Sequence, residues 1–173
     1  MKDVVILSGV RTAIGEYGGS LKSNAPADLA AKVVHEALLR AQIDPNEVDH
    51  LVFGNVIHGE ARDMYLARVA CINGGLPQHT AALTVNRLCG SGLQAIISAS
   101  QSILLNDTLA AVAGGAESMS RAGYLLPALR WGQRMNGGVP IDMMVGALTD
   151  PFDHVHMGIT AENIAEKWCI DRE

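Results

Sequence analysis

After Asp3 the chain runs through a continuous, β-branched-rich stretch over residues 4–10, the pattern of a strand buried on both faces. Residues 11–25 are rich in Gly, Ser and Asn and read as a loop. Pro26 and Asp28 suit a first helical turn, and Leu29, Val33, Ala37, Leu38 and Ala41 then recur at helical spacing to about Gln42. In DPNEVD, Asp44 can cap, Pro45 fits the first helical position and Glu47 lies three past the cap, which predicts one short helical turn. HLVFGNV, residues 50–56, is the second predicted strand. Residues 62–73 fit a helix closed by Gly74 and Gly75. ALTVNR, residues 82–87, is a short strand. Residues 90–105 are helical, with Leu93, Ala95, Ile96, Ile97, Ala99, Ile103 and Leu104 on nearly every face, which predicts a buried helix. LAAVAGGA, residues 109–116, is a further buried strand. This alternation predicts an α/β fold with a largely parallel sheet.

The pattern changes after Glu117. Residues 118–157 carry Gly, Pro, Met and Trp with no sustained period, as expected of a binding excursion set into the fold. TAENIAEKW resumes a helix, for which Thr160 is the expected cap and Asn163 makes only a partial capping box. The expected division is residues 1–117 and residues 118–173.

Composition narrows the function classes. Of 173 residues, 49% are apolar and 18% charged, which excludes a disordered chain. A net charge of −5, without interleaved basic and aromatic residues, excludes a nucleic-acid surface. The apolar start is too short for a signal peptide or a membrane span. Cys71, Cys89 and Cys169 are odd in number and lack C-x-x-C spacing, which argues against a disulfide framework or zinc and for a reducing cytoplasm.

Cys89 lies in NRLCGSGLQA, where the short strand hands over to the apolar helix. Unpaired N–H groups and the dipole at a helix start favour a thiolate there. Gly90 and Gly92 remove side chains, so an acyl group can approach the backbone. The Cys89 N–H is a candidate oxyanion donor. A cysteine in apolar surroundings is more often inert packing, so on the residues alone both readings stay open.

The other candidates have bland readings beside them. His35 and His50 fall on element surfaces. His58 and His79 are loop residues and the alternatives for a base within the chain. His154 and His156 are two apart and lack an evident third metal ligand. Met135, Met143, Met144 and Met157 suit flexible packing or an adaptable acyl pocket. GGAES, residues 114–118, lacks the spacing of a nucleotide loop. Arg11 can hold an anion or pair with a carboxylate.

NRLCGSGLQAIISASQSI resembles the acyl-enzyme signature of the thiolases, which make and cleave 3-ketoacyl-CoA. SGVRTAIGEYGGSL, VFGNV, GGAESMSRAGYLLP and HMGITAENIAEKW match in order, so the resemblance spans essentially the whole chain. RWGQRMN and DPFDHVHMG look most like bacterial biosynthetic or broad-specificity β-ketothiolases. The resemblance implies a layered αβαβα fold of which this chain is the N-terminal half, with the start of a loop domain at residues 118–173. It implies Cys89 as the acylated nucleophile, its N–H in an oxyanion hole, and no metal or redox cofactor. It places Leu148, His156 and Met157 along the CoA site. It implies CoA thioesters as substrates and a homodimer or homotetramer; charge and the short apolar start speak for no nucleic-acid or membrane partner.

The family's histidine, asparagine and second cysteine motifs, which activate the nucleophile and move the α-proton, do not occur in the sequence. The expectation is a chain that needs a C-terminal half for activity and leaves an apolar face of the 90–105 helix exposed without it. A decarboxylating ketoacyl synthase of the same fold and a non-catalytic interaction protein are the alternatives.

Overall fold

The computed structural model describes residues 3–135 and 137–173; Asn136, which closes RWGQRMN, lies outside them. By internal contacts the chain divides into two compact units, Met1–Arg121 and Ala122–Glu173.

The first unit is built on three parallel strands, β1 (His50–Gly54), β2 (Ala81–Val85) and β3 (Ala111–Gly115), in the order β2-β1-β3. In-register ladders pair His50 with Ala81 and with Ala111, and Gly54 with Val85 and with Gly115. Central β1 has Leu51, Val52 and Phe53 buried, and their alternation assigns them to two layers. Leu51 and Phe53 pack with Ala30, Val34 and Leu38 of α1 (Pro26–Ala41) and Leu66, Ala67, Ala70 and Cys71 of α2 (Leu66–Asn73). Val52 packs on the other face against Ala95 and Ala99 of α3 (Ser91–Leu104). The expected turn at residues 45–47 forms as a 3-10 turn, and Asp44 accepts the Asn46 N–H at 2.9 Å.

α3 forms over the expected residues but is buried on one face only. Its inner stripe is Ser91, Ala95 and Ala99, whose small side chains let the helix axis come close to the sheet. Leu93, Ile96, Ile97 and Leu104 point outward and are exposed, Leu93 at 65%. The expected exposure of an apolar face is therefore present.

The strand expected at residues 4–10 is a correction. The segment joins no ladder among the described residues, and Ile6 is 84% exposed. An apolar run becomes a strand only where another strand meets its N–H and C=O groups. Here Ser8 Oγ donates to the Ala37 carbonyl at 2.8 Å and ties the segment to α1.

In the second unit, the expected structureless stretch contains short elements: β4 (Tyr124–Leu125) pairs antiparallel with β5 (Ile141–Asp142), and α4 (Met143–Ala147) follows. Asp142 caps α4 by accepting from Met144 N–H at 2.9 Å. α5 (Met157–Trp168) corrects the expected cap. His156, not Thr160, is its N-cap, and Nδ1 accepts from the Gly158 N–H at 3.0 Å. Capping needs extended backbone with a side-chain acceptor, which His156 supplies at φ −65° and ψ 143°.

Gly54 is where the sheet and α3 come closest. A Cβ there would sit 2.7 Å from Ser91 Cβ and 2.9 Å from the Ser91 carbonyl carbon. Gly54→Ala in the intact protein is therefore expected to cost about 1–3 kcal/mol, as overpacking does. Denaturant unfolding of the two proteins checks this; equal midpoints would contradict it.

Candidate active site

Cys89 is exposed and sits at the carboxyl edge of the sheet, between the end of β2 and the start of α3. Ligands bind at that edge in parallel α/β sheets. The turn that presents it is closely bonded. Asn86 Oδ1 accepts the Leu88 N–H at 3.0 Å, an Asx turn. Gly90 N–H donates to Arg87 O at 3.1 Å and Ser91 N–H to Leu88 O at 3.0 Å. Ser91 Oγ accepts from Arg87 N–H at 2.8 Å and donates to Leu88 O at 2.6 Å. Leu88, directly before the cysteine, has φ 47°, a left-handed conformation that a leucine rarely adopts. Strain of this kind is held only where surrounding bonds over-determine it. The strained strand-to-helix turn follows the logic of a nucleophile elbow.

The two glycines after Cys89 are not required by packing. A Cβ at Gly92 would meet nothing within 4 Å, and one at Gly90 would make only ordinary contact with Arg87 O at 3.4 Å. Their smallness leaves room beside the sulfur.

The same edge carries a second polar group. Glu117, which follows β3, accepts from Val56 N–H at 2.8 Å, Ile57 N–H at 3.3 Å and Asn55 Nδ2 at 3.1 Å. Loss of solvent around the carboxylate pushes the Glu117 pKa up and the Asp63 charge adds to this, while the Val56 and Ile57 N–H groups and His58 oppose it. The glycines of GGAES serve packing: a Cβ at Gly114 would lie 3.0 Å from the Phe53 ring, and one at Gly115 would lie 3.1 Å from Gly54 O.

The histidines separate by position. His50 opens β1, and His79 faces Asp49 at the same amino edge, the far end of the sheet from Cys89. His35 on α1 lies beside Gly75. His58, on the loop after β1 near Glu117, shares the carboxyl edge with Cys89. Among the described residues, no histidine is hydrogen-bonded to the Cys89 thiol and no group of three or more His, Cys, Asp or Glu could hold a metal ion. Cys71, on α2, is buried, and burial raises its pKa. No helix among the described residues is long and apolar enough to cross a membrane.

A model of the thiolase N-terminal domain matches residues 4–173. The chain belongs to the thiolase family. It is 64% identical over 171 residues to the beta-ketothiolase BktB of Cupriavidus necator, a match that covers 99% of this chain and 43% of that protein. The crystal structure of the Bacillus anthracis acetyl-CoA acetyltransferase superposes with a TM-score of 0.91 at 41% identity, over 97% of this chain and 42% of that one. The crystal structure of human mitochondrial 3-ketoacyl-CoA thiolase in complex with CoA gives 0.87 at 38% identity, over 91% and 40%. The chain therefore spans less than half the length of these thiolases.

In this thiolase chain the second unit brings three of the sequence candidates together. Leu148 O accepts the Met157 N–H at 2.8 Å, and Thr149 bridges His156. Leu148, His156 and Met157 thus share one short loop closure at the start of α5. His156 Nδ1 is committed to the cap, which leaves Nε2 as the ring atom open to a ligand. Reading the sequence missed Ser91, Gly54, Asn55 and Glu117. Glycine at a strand end signals close backbone approach and could have found Gly54; Ser91, Asn55 and Glu117 lie in the matched stretches NRLCGSGLQA, VFGNV and GGAES, but no local spacing records the bond that joins Asn55 to Glu117.

The cap gives His156 a structural role that can be tested. His156→Ala is expected to cost about 1 kcal/mol of stability and His156→Asn, which keeps a capping acceptor, much less. Thermal denaturation of the intact protein compares them; equal losses would contradict the capping role.

Proposed function

We propose that this chain supplies the acyl-carrying part of a thiolase active site, with Cys89 as the nucleophile. The observation that supports this most directly is the exposed thiol on a strained, closely bonded turn at the carboxyl edge of the sheet, in a chain of the thiolase family. The Cys89 thiolate attacks the carbonyl carbon of an acyl-CoA. A carbon–sulfur bond to Cys89 forms, the tetrahedral oxyanion rests on N–H donors that include that of Cys89, and the bond to the CoA sulfur breaks as CoA takes up a proton. Acetyl-CoA then loses an α-proton, and its carbanion attacks the Cys89 thioester to give 3-ketoacyl-CoA and the free thiolate. With acetyl-CoA as both substrates the product is acetoacetyl-CoA. In reverse, CoA cleaves the 3-ketoacyl-CoA. Every atom is accounted for by CoA thioesters and protons, so the reading calls for no metal or redox cofactor.

Leu148, His156 and Met157 line the pantetheine and acyl end of the CoA site in this reading, and residues 118–173 act as its loop domain. The closure at the start of α5, with Nε2 of His156 left open, supports that role. Exposed Trp131, Met135 and Val139 support contacts with further copies of the chain. We assign the base and the α-proton carrier to the part of the thiolase length that this chain does not span, because the family's histidine and second-cysteine motifs do not occur in this sequence and, among the described residues, no histidine, His58 included, is hydrogen-bonded to Cys89. The resemblance and the odd cysteine count favour a cytoplasmic setting.

Incubation of the intact protein with acetyl-CoA is expected to add one acetyl group to the Cys89 peptide, detected by mass spectrometry, and Cys89→Ala is expected to abolish it. Persistent acetylation of the variant would overturn the nucleophile assignment. Turnover of acetoacetyl-CoA by residues 1–173 alone would overturn the placement of the base.

A further inference from the structure

Asn55 and Glu117 lie outside the chemistry assigned to Cys89, yet a continuous line of contacts joins them to it. Glu117 gathers three donors from the segment after β1, and Asn55 Nδ2 also donates to Ala116 O at 3.0 Å. Asn55 is 1% exposed and its bonds to Ala116 and Glu117 are half-buried, while the Val56 bond to Glu117 lies at the surface. Ala116 N–H donates to Gly54 O at 3.0 Å, and Asn55 N–H to Val85 O at 3.1 Å, at the end of the strand that leads to Cys89. Gly54 in turn bears on Ser91 with no room for a methyl group between them. Ser91, 5% exposed, holds both sides of the Cys89 turn through its hydroxyl. Displacing the segment after Gly54 therefore displaces the surface on which the turn rests.

We infer that the Asn55–Glu117 clasp is a positioning device for the nucleophile, with Glu117 as a positioning residue that sets the Cys89 turn through Gly54 and Ser91. This rests on the proposed role of Cys89 as the acylated group. Both carboxylate oxygens accept, Oε2 from Val56 and Oε1 from Asn55 and Ile57, so no amide orientation can replace the carboxylate without aiming an NH₂ group at a donor. The sheet also supplies a matched control. At its amino edge Asp49 Oδ2 accepts from Thr108 Oγ1 at 3.1 Å and from Leu109 N–H at 2.9 Å, a similar clasp far from Cys89. A purely structural role for Glu117 would make the two clasps equivalent.

The experiment compares Glu117→Gln, Glu117→Asp, Asn55→Ala and Asp49→Asn with the wild type in the protein expressed from its complete reading frame. Two rates at Cys89 are followed by peptide mass spectrometry: acetylation by acetyl-CoA and alkylation by iodoacetamide. Glu117→Gln is expected to slow acetylation by ~10-fold or more, the scale of a sub-ångström displacement of a reacting group, while Asp49→Asn stays within about twofold. Glu117→Asp, which restores the carboxylate, and Asn55→Ala, which keeps it, are expected to fall between. If Glu117→Gln does not fold, Asn55→Ala carries the comparison against Asp49→Asn. Equal rates in the Glu117 or Asn55 variants and in Asp49→Asn would overturn the inference. A wild-type Cys89 that takes no acetyl group would overturn the proposed function instead. The alkylation rates would still decide whether the clasp positions the thiol, since they need no CoA site.

Discussion

The approach of Gly54 to Ser91 is the constraint on which the site depends. It brings the backbone of the central strand against the first turn of α3 at a distance that excludes even a methyl side chain. Once that contact is made, the Ser91 hydroxyl is in reach of Arg87 N–H and Leu88 O, and the residues between must turn tightly. The left-handed Leu88 is the cost of that turn, held by the Asx bond from Asn86 and the two carbonyl–amide bonds behind it. Cys89, on that turn, is exposed.

The same economy of side chains shapes α3. Its sheet-facing stripe is small and its outward face is large and apolar, the reverse of a surface helix. A helix patterned this way is suited to lie between two layers, and the first unit provides only one of them. The exposed run at residues 4–7 has the same character: its composition suits a strand, and no ladder reaches it among the described residues. Both features accord with a chain that spans less than half the length of the thiolases it matches.

Helices whose ends are marked by residue chemistry were legible from the sequence. Pro26 starts α1, Gly74 closes α2, and Asp44 caps the turn at residues 45–47 as its side chain suggests. The strands at residues 50–54 and 111–115 were legible from their continuous apolar character. The start of α5 was not, because histidine is a rare cap and Thr160 offered the more familiar pattern. The same limit hid Glu117. Its partners lie about sixty positions back along the chain, and no local spacing records a hydrogen bond of that separation.

The sequence by itself determined the α/β alternation, the family, and Cys89 as the residue to examine, since each rests on local pattern or on a matched motif. It left open whether that cysteine was core or surface, because an apolar neighbourhood in sequence suits either. Tertiary structure decided this through contacts between distant segments: Gly54 against Ser91, Ala116 against Gly54, and Glu117 across the loop that follows. It also decided which face of α3 is covered and which histidines lie at the far edge of the sheet. Those outcomes depend on where strands end relative to one another in space. Register and layer order set that geometry, and neither is carried by the residues of one segment alone.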